Sequence, residues 1–365
     1  MSQTPAAAPA RALDPRFYRD PEIHAREMER IFFRTWQYAC HASALATPGD
    51  YVAFTIADQG IFAIRSDDGK LRAFYNVCRH RAHELLTGSG NAPVICCPYH
   101  AWTYATDGQL RHARNTGKTP GFDIAKICLA EVRLELFHGF VFVNLDADAA
   151  PMAAWYPGAA EALGALLPDI ARLKPVSEIA IVEPCNWKVT VENYSECYHC
   201  AGAHPSFARG VIDPKAYKIE VQGHCLHHSA RAARADDMAY DIDADANPRA
   251  AEYGSWFLWP SFSFQVYPGG LLNSYLWRPT GPTETTVWRG WYTLDGAPSA
   301  VVEALARQDL ATTVAEDVAL VSAVQRGLAS RGYTAGPLVI DPAGGVDSEH
   351  AIDAIAGWVR EALAD

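Results

Sequence analysis

The chain has 365 residues, 49% of them hydrophobic and 20% charged, with a formal charge of −11. That length suits about two domains, each with its own core. The acidic balance argues against a nucleic-acid partner, and no apolar run approaches the ~18 residues of a membrane span.

Residues 1–14 are rich in Ala and Pro and read as a loose tail, without the charged start and apolar core of a signal peptide. Asp20-Pro21 opens a helix, and the stretch from Glu22 to Trp36 carries Ile23, Met28, Ile31 and Phe32 at near-helical spacing. From about Gly49 the period changes to two: Y-V-A-F-T-I, I-F-A-I-R and L-R-A-F-Y-N-V are short strands, with Asp67-Asp68-Gly69 turning the last two. More strands end in the apolar run from Phe137 to Leu145, and D-A-D-A-A-P, ending at Pro151, is the linker. A helix near 152–167, several strands, a long helix from about 299 to 330 and a last one from about Glu349 to Leu363 complete the chain. The expected organisation is α+β. Residues 1–44 form a tail and helix packed on the C-terminal domain, 45–150 an all-β module, and 151–365 the larger domain. Nine cysteines, an odd number at irregular spacing, fit a reducing cytoplasm better than a disulfide-bonded secreted fold.

The strongest signal lies inside the β module. C-R-H-R-A-H-E-L-L supplies Cys78 and His80, and C-P-Y-H-A-W supplies Cys97 and His100. Each loop offers one thiolate and one imidazole. A zinc finger usually groups its two cysteines together and its two histidines together. Mixed pairs suit a [2Fe–2S] cluster of the Rieske kind, in which both cysteines hold one iron and both histidines the other. A structural zinc site is the alternative. Arg79 and Arg81 add positive charge at the rim, and Trp102 can shield the cluster from water.

A second candidate site lies in E-N-Y-S-E-C-Y-H-C-A-G-A-H-P, from Glu192 to Pro205. His199 and His204 lie five apart, about 140° around an ideal helix, so one metal can take both only at a distorted helix end or a π-bulge. Gly202 permits that, and Pro205 pushes His204 out of the helical region. Cys197 and Cys200 read as packing residues. In the long helix, Leu310, Val314, Asp317, Val321, Val324 and Leu328 recur at intervals of four and three. Asp317 therefore sits in an apolar stripe, where an unpaired carboxylate is costly, whereas Glu316 falls to the solvated side. A buried arginine could pair with Asp317. Metal ligation fits better, since His199, His204 and Asp317 would make a 2-His-1-carboxylate triad with open positions on Fe(II).

These motifs, with E-D-V-A-L-V-S-A-V-Q-R-G-L-A-S-R-G-Y and the late S-E-H, resemble the large (alpha) oxygenase subunit of Rieske non-haem iron oxygenases. The resemblance runs from about Glu29 to the C-terminus. It is nearest to the branch acting on quaternary ammonium compounds, which includes the carnitine monooxygenase oxygenase components. It implies a helix-grip (START-like) catalytic domain, a curved antiparallel sheet around a long helix. It also implies a homotrimer in which one subunit's cluster feeds the next subunit's iron. Where many relatives have Asp, three residues before the first iron histidine, this chain has Glu196. By resemblance Glu196 links His100 to His199, with Asn193 beside the iron; alternatively Glu196 only orients His199.

No nucleotide-binding Gly-rich fingerprint appears, so a separate flavin or iron-sulfur reductase drawing on NADH or NADPH is expected to supply the electrons. The competing readings are an aromatic-ring hydroxylase, which shares every metal ligand, and a non-catalytic Rieske electron carrier. From Tyr253 to Tyr292, forty residues hold twelve aromatics. Most pack in a sheet core, but a few inward rings would suit a trimethylammonium group. Trp256, Trp259 and Phe264 are the expected pocket residues. By resemblance the reaction is oxidation of carnitine or a close betaine, with C–N cleavage to a tertiary amine and an aldehyde.

Overall fold

The computed structural model describes residues 9–242 and 248–364. The chain forms two compact units, one of Phe32–Met152 and one joining residues 9–31 to 153–364. Among the described residues no helix is long and apolar enough to cross a membrane.

The first unit is built from β1 (Gln37–His41), β2 (Asp50–Ile56), β3 (Gln59–Arg65), β4 (Leu71–Tyr75), β5 (Ser89–Asn91), β6 (Ile95–Cys96), β7 (Thr103–Tyr104), β8 (Leu110–His112), β9 (Glu131–Phe137) and β10 (Phe140–Asn144). Seven strands make one sheet in the order β1-β10-β9-β4-β3-β2-β5, and β6-β7-β8 make a small second sheet. Residues 37–41, expected to belong to the N-terminal helical segment, instead supply an edge strand. Every residue of β1 and of its partner β10 is buried. A strand covered on both faces shows no alternation, which is why its sequence does not announce it.

The second unit carries β11 (Lys174–Glu183), β12 (Ile212–Gln222), β13 (Cys225–Ala232), β14 (Glu252–Leu258), β15 (Phe262–Tyr267), β16 (Leu271–Gly281) and β17 (Glu284–Thr293). They form one curled antiparallel sheet, ordered β11-β17-β16-β15-β14-β13-β12. Its two edges, β11 and β12, are consecutive in the chain, so residues 184–211 must cross from one edge to the other. That crossing contains the Trp187–Tyr194 helix, which packs on β16 and β17 and against the Ala315–Gly327 helix. The helix-grip arrangement implied by the resemblance is present.

The long C-terminal helix is not uniform. Ala300–Asp309 and Ala315–Gly327 are α-helical, and Leu310–Val314 between them is a π turn. The π turn adds a residue and rotates the Ala315–Gly327 segment relative to the first. The buried line therefore runs Val302, Leu305, Asp309, then five residues on to Val314, and then Val321 and Leu328. Leu310 and Val324, expected in the apolar stripe, are 43% and 50% exposed.

The N-terminal segment is less loose than expected. Leu13 is buried; Ala12 N–H donates to Gly336 O at 3.1 Å and Leu338 N–H to Ala10 O at 2.8 Å. Residues 1–8 lie outside the described residues. Asp20 caps the next helix by accepting from Glu22 N–H, with Pro21 at its first position. That helix ends in a π turn at Met28–Phe32 rather than continuing to Trp36. On it, Glu27 is fully buried and accepts from Lys188 Nζ at 2.6 Å and Trp187 Nε1 at 2.8 Å. Burial pushes the Glu27 carboxyl up and the Lys188 ammonium down, each restrained by its partner. Lys188→Met is expected to destabilise this unit by ~3–5 kcal/mol in denaturant melts, because it strands a buried carboxylate. Glu27→Gln with Lys188→Met should recover part of that loss. A single-variant cost below ~1 kcal/mol would mean the pair does not hold the segment in place.

Candidate metal centres and catalytic cavity

In the β module, Cys78 and His80 come after β4, and Cys97 to His100 form the tip of the β6–β7 hairpin. Both tips turn tightly, with Ala82 N–H bonded to Cys78 O and Ala101 N–H to Cys97 O. Ala82 and Ala101 adopt positive φ of 56° and 57°. The two cysteines are buried, whereas His80 is exposed and His100 half-buried. The imidazole rings of His80 and His100 lie 4.6 Å apart, and Trp102 stacks on His80 at 4.6 Å.

His100 Nδ1 is a buried nitrogen without a hydrogen-bond partner, the state of a donor set aside for a metal. Two thiols inside and two imidazoles at the rim fit the polarity of a Rieske cluster. Tyr104, which sequence reasoning missed, places its hydroxyl 3.3 Å from Cys78 Sγ and accepts from Arg79 N–H at 3.1 Å. Burial, then the neighbouring thiols, pushes that hydroxyl well above its ordinary range, so it stays protonated and can donate to sulfur.

In the catalytic unit, His199 ends the loop after the Trp187–Tyr194 helix, and His204 joins Cys200–Ala203 to Pro205–Gly210. His204 has φ −121° and ψ 63°, the non-helical backbone that a proline at the next position requires. The distorted helix end brings His199 Nε2 and His204 Nε2 to 3.1 Å. Asp317 Oδ1 lies 2.9 Å from His204 Nε2 and 3.8 Å from His199 Nε2. One atom from each residue thus converges within 4.8 Å, a set that could hold a metal ion. Asn193 Nδ2 stands 3.5 Å from His199 Nε2. The buried arginine nearby, Arg289, pairs with Asp309 on the other side of the π turn and not with Asp317.

Behind each imidazole stands a carboxylate. Glu196 binds His199 Nδ1 and also accepts the Tyr198 and His199 backbone N–H groups. Glu316 Oε2 lies 2.7 Å from His204 Nδ1. Glu316 is therefore not the merely solvated neighbour expected from the helical stripe. The π turn sets residues 316 and 317 on either side of the His204 ring. Burial alone would lower the His204 pKa, but the bonds and charges of Asp317 and Glu316 outweigh it and raise it to about 9. A cation entering here would displace that proton. Cys197 and Cys200, read from the sequence as packing residues, are both buried and joined as a disulfide.

A cavity adjoins these residues. Its walls include Tyr194, Phe207, Tyr217, Tyr253, Tyr267 and Tyr275, with His228, Ser255 and Gln265 between them; among the described residues no lysine or arginine lines it. Trp256, Trp259 and Phe264 are not among its lining residues. Trp256 stacks on His227 at 4.7 Å, Trp259 packs on Trp187 and Trp358, and Phe264 on Phe262. Strand parity explains the difference. Tyr253 and Ser255 face the cavity from β14, and Gln265 and Tyr267 from β15, so Trp256 and Phe264 face the other way. Glu196 and His199 also line an outer groove, with Glu192 and Leu320.

Comparison with known proteins supports the same picture. Residues 35–125 match the Rieske [2Fe-2S] domain, and residues 170–365 match the ring hydroxylating alpha subunit (catalytic domain). The chain is 37% identical over 343 residues to the carnitine monooxygenase oxygenase subunit of Acinetobacter baumannii, covering 92% of this chain and 90% of that one. The Escherichia coli subunit of the same name is 36% identical over 344 residues, with the same coverage. The structure of the quaternary ammonium Rieske monooxygenase CntA with L-carnitine superposes with a TM-score of 0.86 at 34% identity, over 98% of this chain and 96% of that one. The chain therefore belongs to the Rieske non-haem iron oxygenases, as an alpha oxygenase subunit that carries a [2Fe–2S] cluster and a mononuclear iron and depends on a separate reductase.

Proposed function

We propose that this chain is a monooxygenase component that oxidises a C–H bond beside the nitrogen of a quaternary ammonium compound, carnitine or a close betaine. The observation that carries the substrate class is the cavity beside His199, His204 and Asp317: five tyrosines and one phenylalanine, two carboxylates and, among the described residues, no lysine or arginine. Aromatic faces attract a trimethylammonium group by about 0.5–2 kcal/mol each when it is desolvated. An aromatic acid would find no guanidinium or ammonium for its carboxylate there. The named functions of the relatives agree with a quaternary amine.

In this reading Cys78 and Cys97 hold one iron of the cluster and His80 and His100 the other, while His199, His204 and Asp317 hold the mononuclear iron. When bound, the cluster supplies single electrons and the mononuclear iron supplies O2 activation. Glu316 and Glu196 keep the two imidazoles oriented with Nε2 toward the metal. The tyrosine walls exclude water and hold the cationic end of the substrate. Hydroxylation of a carbon bonded to the quaternary nitrogen gives an adduct that collapses to a tertiary amine and an aldehyde.

The functional assembly is a homotrimer in which Glu196 links the cluster histidine His100 of one subunit to His199 of the next, with Asn193 beside the iron. The position of Glu196, shared by the inner cavity and the outer groove, supports that role. The electrons come from a flavin or iron-sulfur reductase using NADH or NADPH.

The test is substrate-dependent O2 uptake and amine release with a competent reductase, offered carnitine, γ-butyrobetaine, glycine betaine and a panel of aromatic acids. Coupled uptake on a quaternary amine is expected. Uptake confined to an aromatic acid would replace this reading with a ring hydroxylase. In the same assay Glu196→Gln should retain both metals yet turn over far more slowly, and full coupled activity would refute the linking role.

A further inference from the structure

One cross-strand row of the catalytic sheet is polar throughout. The register pairs His228 on β13 with Ser255 on β14, Ser255 with Gln265 on β15, and Gln265 with Asn273 on β16. All four side chains are more than nine-tenths buried. Three of them keep a buried polar atom without a partner: His228 Nε2, Gln265 Oε1 and Asn273 Oδ1. An unpaired buried donor or acceptor opposes folding. Three in one cross-strand row, two of them on residues that line the cavity, point to a ligand that completes them.

The proton on His228 can be assigned from its surroundings. Tyr217 OH lies 2.6 Å from His228 Nδ1. Burial pushes the Tyr217 hydroxyl far above its ordinary range, so it stays protonated and can donate to Nδ1. Burial, then His227 and His350, lowers the His228 pKa to about 3, so the imidazole is neutral and carries one proton. In the tautomer where Nδ1 accepts from Tyr217, that proton sits on Nε2, the nitrogen left without a partner. His228 thus presents a neutral donor in a cavity that, among the described residues, no lysine or arginine lines. Gln265 spends its Nε2 on Tyr253 OH at 2.7 Å, which fixes the amide beside it.

We propose that His228 determines specificity for the oxygen-bearing end of the substrate. Its Nε2–H donates to a carboxylate or hydroxyl oxygen while the tyrosine rings hold the trimethylammonium group, and Tyr217 is the positioning residue that fixes the tautomer. This rests on the quaternary-ammonium reading above.

Calorimetric Kd values and steady-state KM separate the possibilities for wild type, His228→Leu, His228→Gln and Tyr217→Phe in the metal-loaded enzyme. The ligands are γ-butyrobetaine (carboxylate), choline (hydroxyl) and butyltrimethylammonium (neither). His228→Leu should weaken the oxygen-bearing ligands about tenfold or more, as for loss of a hydrogen bond to a charged group, and change butyltrimethylammonium less than about twofold. His228→Gln, whose amide nitrogen can stand near the lost Nε2, should restore most of the preference, and Tyr217→Phe should lose part of it. A loss confined to γ-butyrobetaine assigns the carboxylate; equal losses with choline assign any oxygen acceptor. Equal weakening of all three ligands, or of none, in His228→Leu overturns the inference alone. If His228→Leu fails to fold, an unchanged preference in both His228→Gln and Tyr217→Phe overturns it. A wild type that binds none of the three overturns the quaternary-ammonium reading as well.

Discussion

Asp317→Ala is expected to abolish turnover while the cluster stays reducible, with iron per chain falling from three to two. The carboxylate is the proposed third ligand, and two imidazoles alone hold Fe(II) poorly. Glu316→Gln is the informative partner experiment, because Glu316 reaches His204 Nδ1 at 2.7 Å and stands outside the converging His199, His204 and Asp317 set. It should weaken iron binding by about 10–100-fold, as expected for a group that orients a ligand histidine, and excess iron should restore activity. Metal analysis and an iron titration read both. Asp317→Ala with three irons, or Glu316→Gln with unaltered affinity, would reject the assignment at that residue.

Cys97→Ser should erase the brown colour and the Rieske electron-spin signal, since a hydroxyl is a poor substitute for a thiolate ligand. Cys96→Ser should leave both in place. Cys97 is buried at the hairpin tip, whereas Cys96 is exposed on β6 beside Thr103. The opposite result would shift the cluster register by one residue. The two inactive variants also test the trimer. Co-expressed Cys97→Ser and Asp317→Ala chains should regain partial activity, because an intact cluster on one subunit can then face an intact iron site on the next. Mixed trimers that stay inactive, with each metal loaded on its own chain, would defeat the intersubunit route.

The candidate site was legible to different depths in different places. The mixed Cys/His loops are readable because a cluster needs particular residue types at short spacing, and both loops are local in sequence. The 199/204 pair is readable for a similar reason: Pro205 states in the sequence that the helix must break there. Asp317 stands out as a charge on an apolar stripe, but the stripe itself is only partly right. Counting by four and three carries an ideal helix through Leu310 and Val324, which the π turn leaves exposed. The same turn brings Glu316 onto His204. The spacing of the apolar residues carries no mark of a π turn, which is rare and breaks the ideal period wherever it falls.

Length, composition and the two ligand motifs by themselves determined an acidic two-domain chain with candidate cluster and iron sites, because those features are local and carry chemistry directly. Tertiary structure decided which aromatic rings line the cavity. Strand parity can be shifted by one residue without changing the composition, and that shift exchanges Trp256 and Phe264 for Tyr253, Ser255, Gln265 and Tyr267. It also decided the His228–Ser255–Gln265–Asn273 row, whose members come from four separate strands and meet only through their register. A pocket is a property of pairing between strands, and no single stretch of sequence contains that pairing.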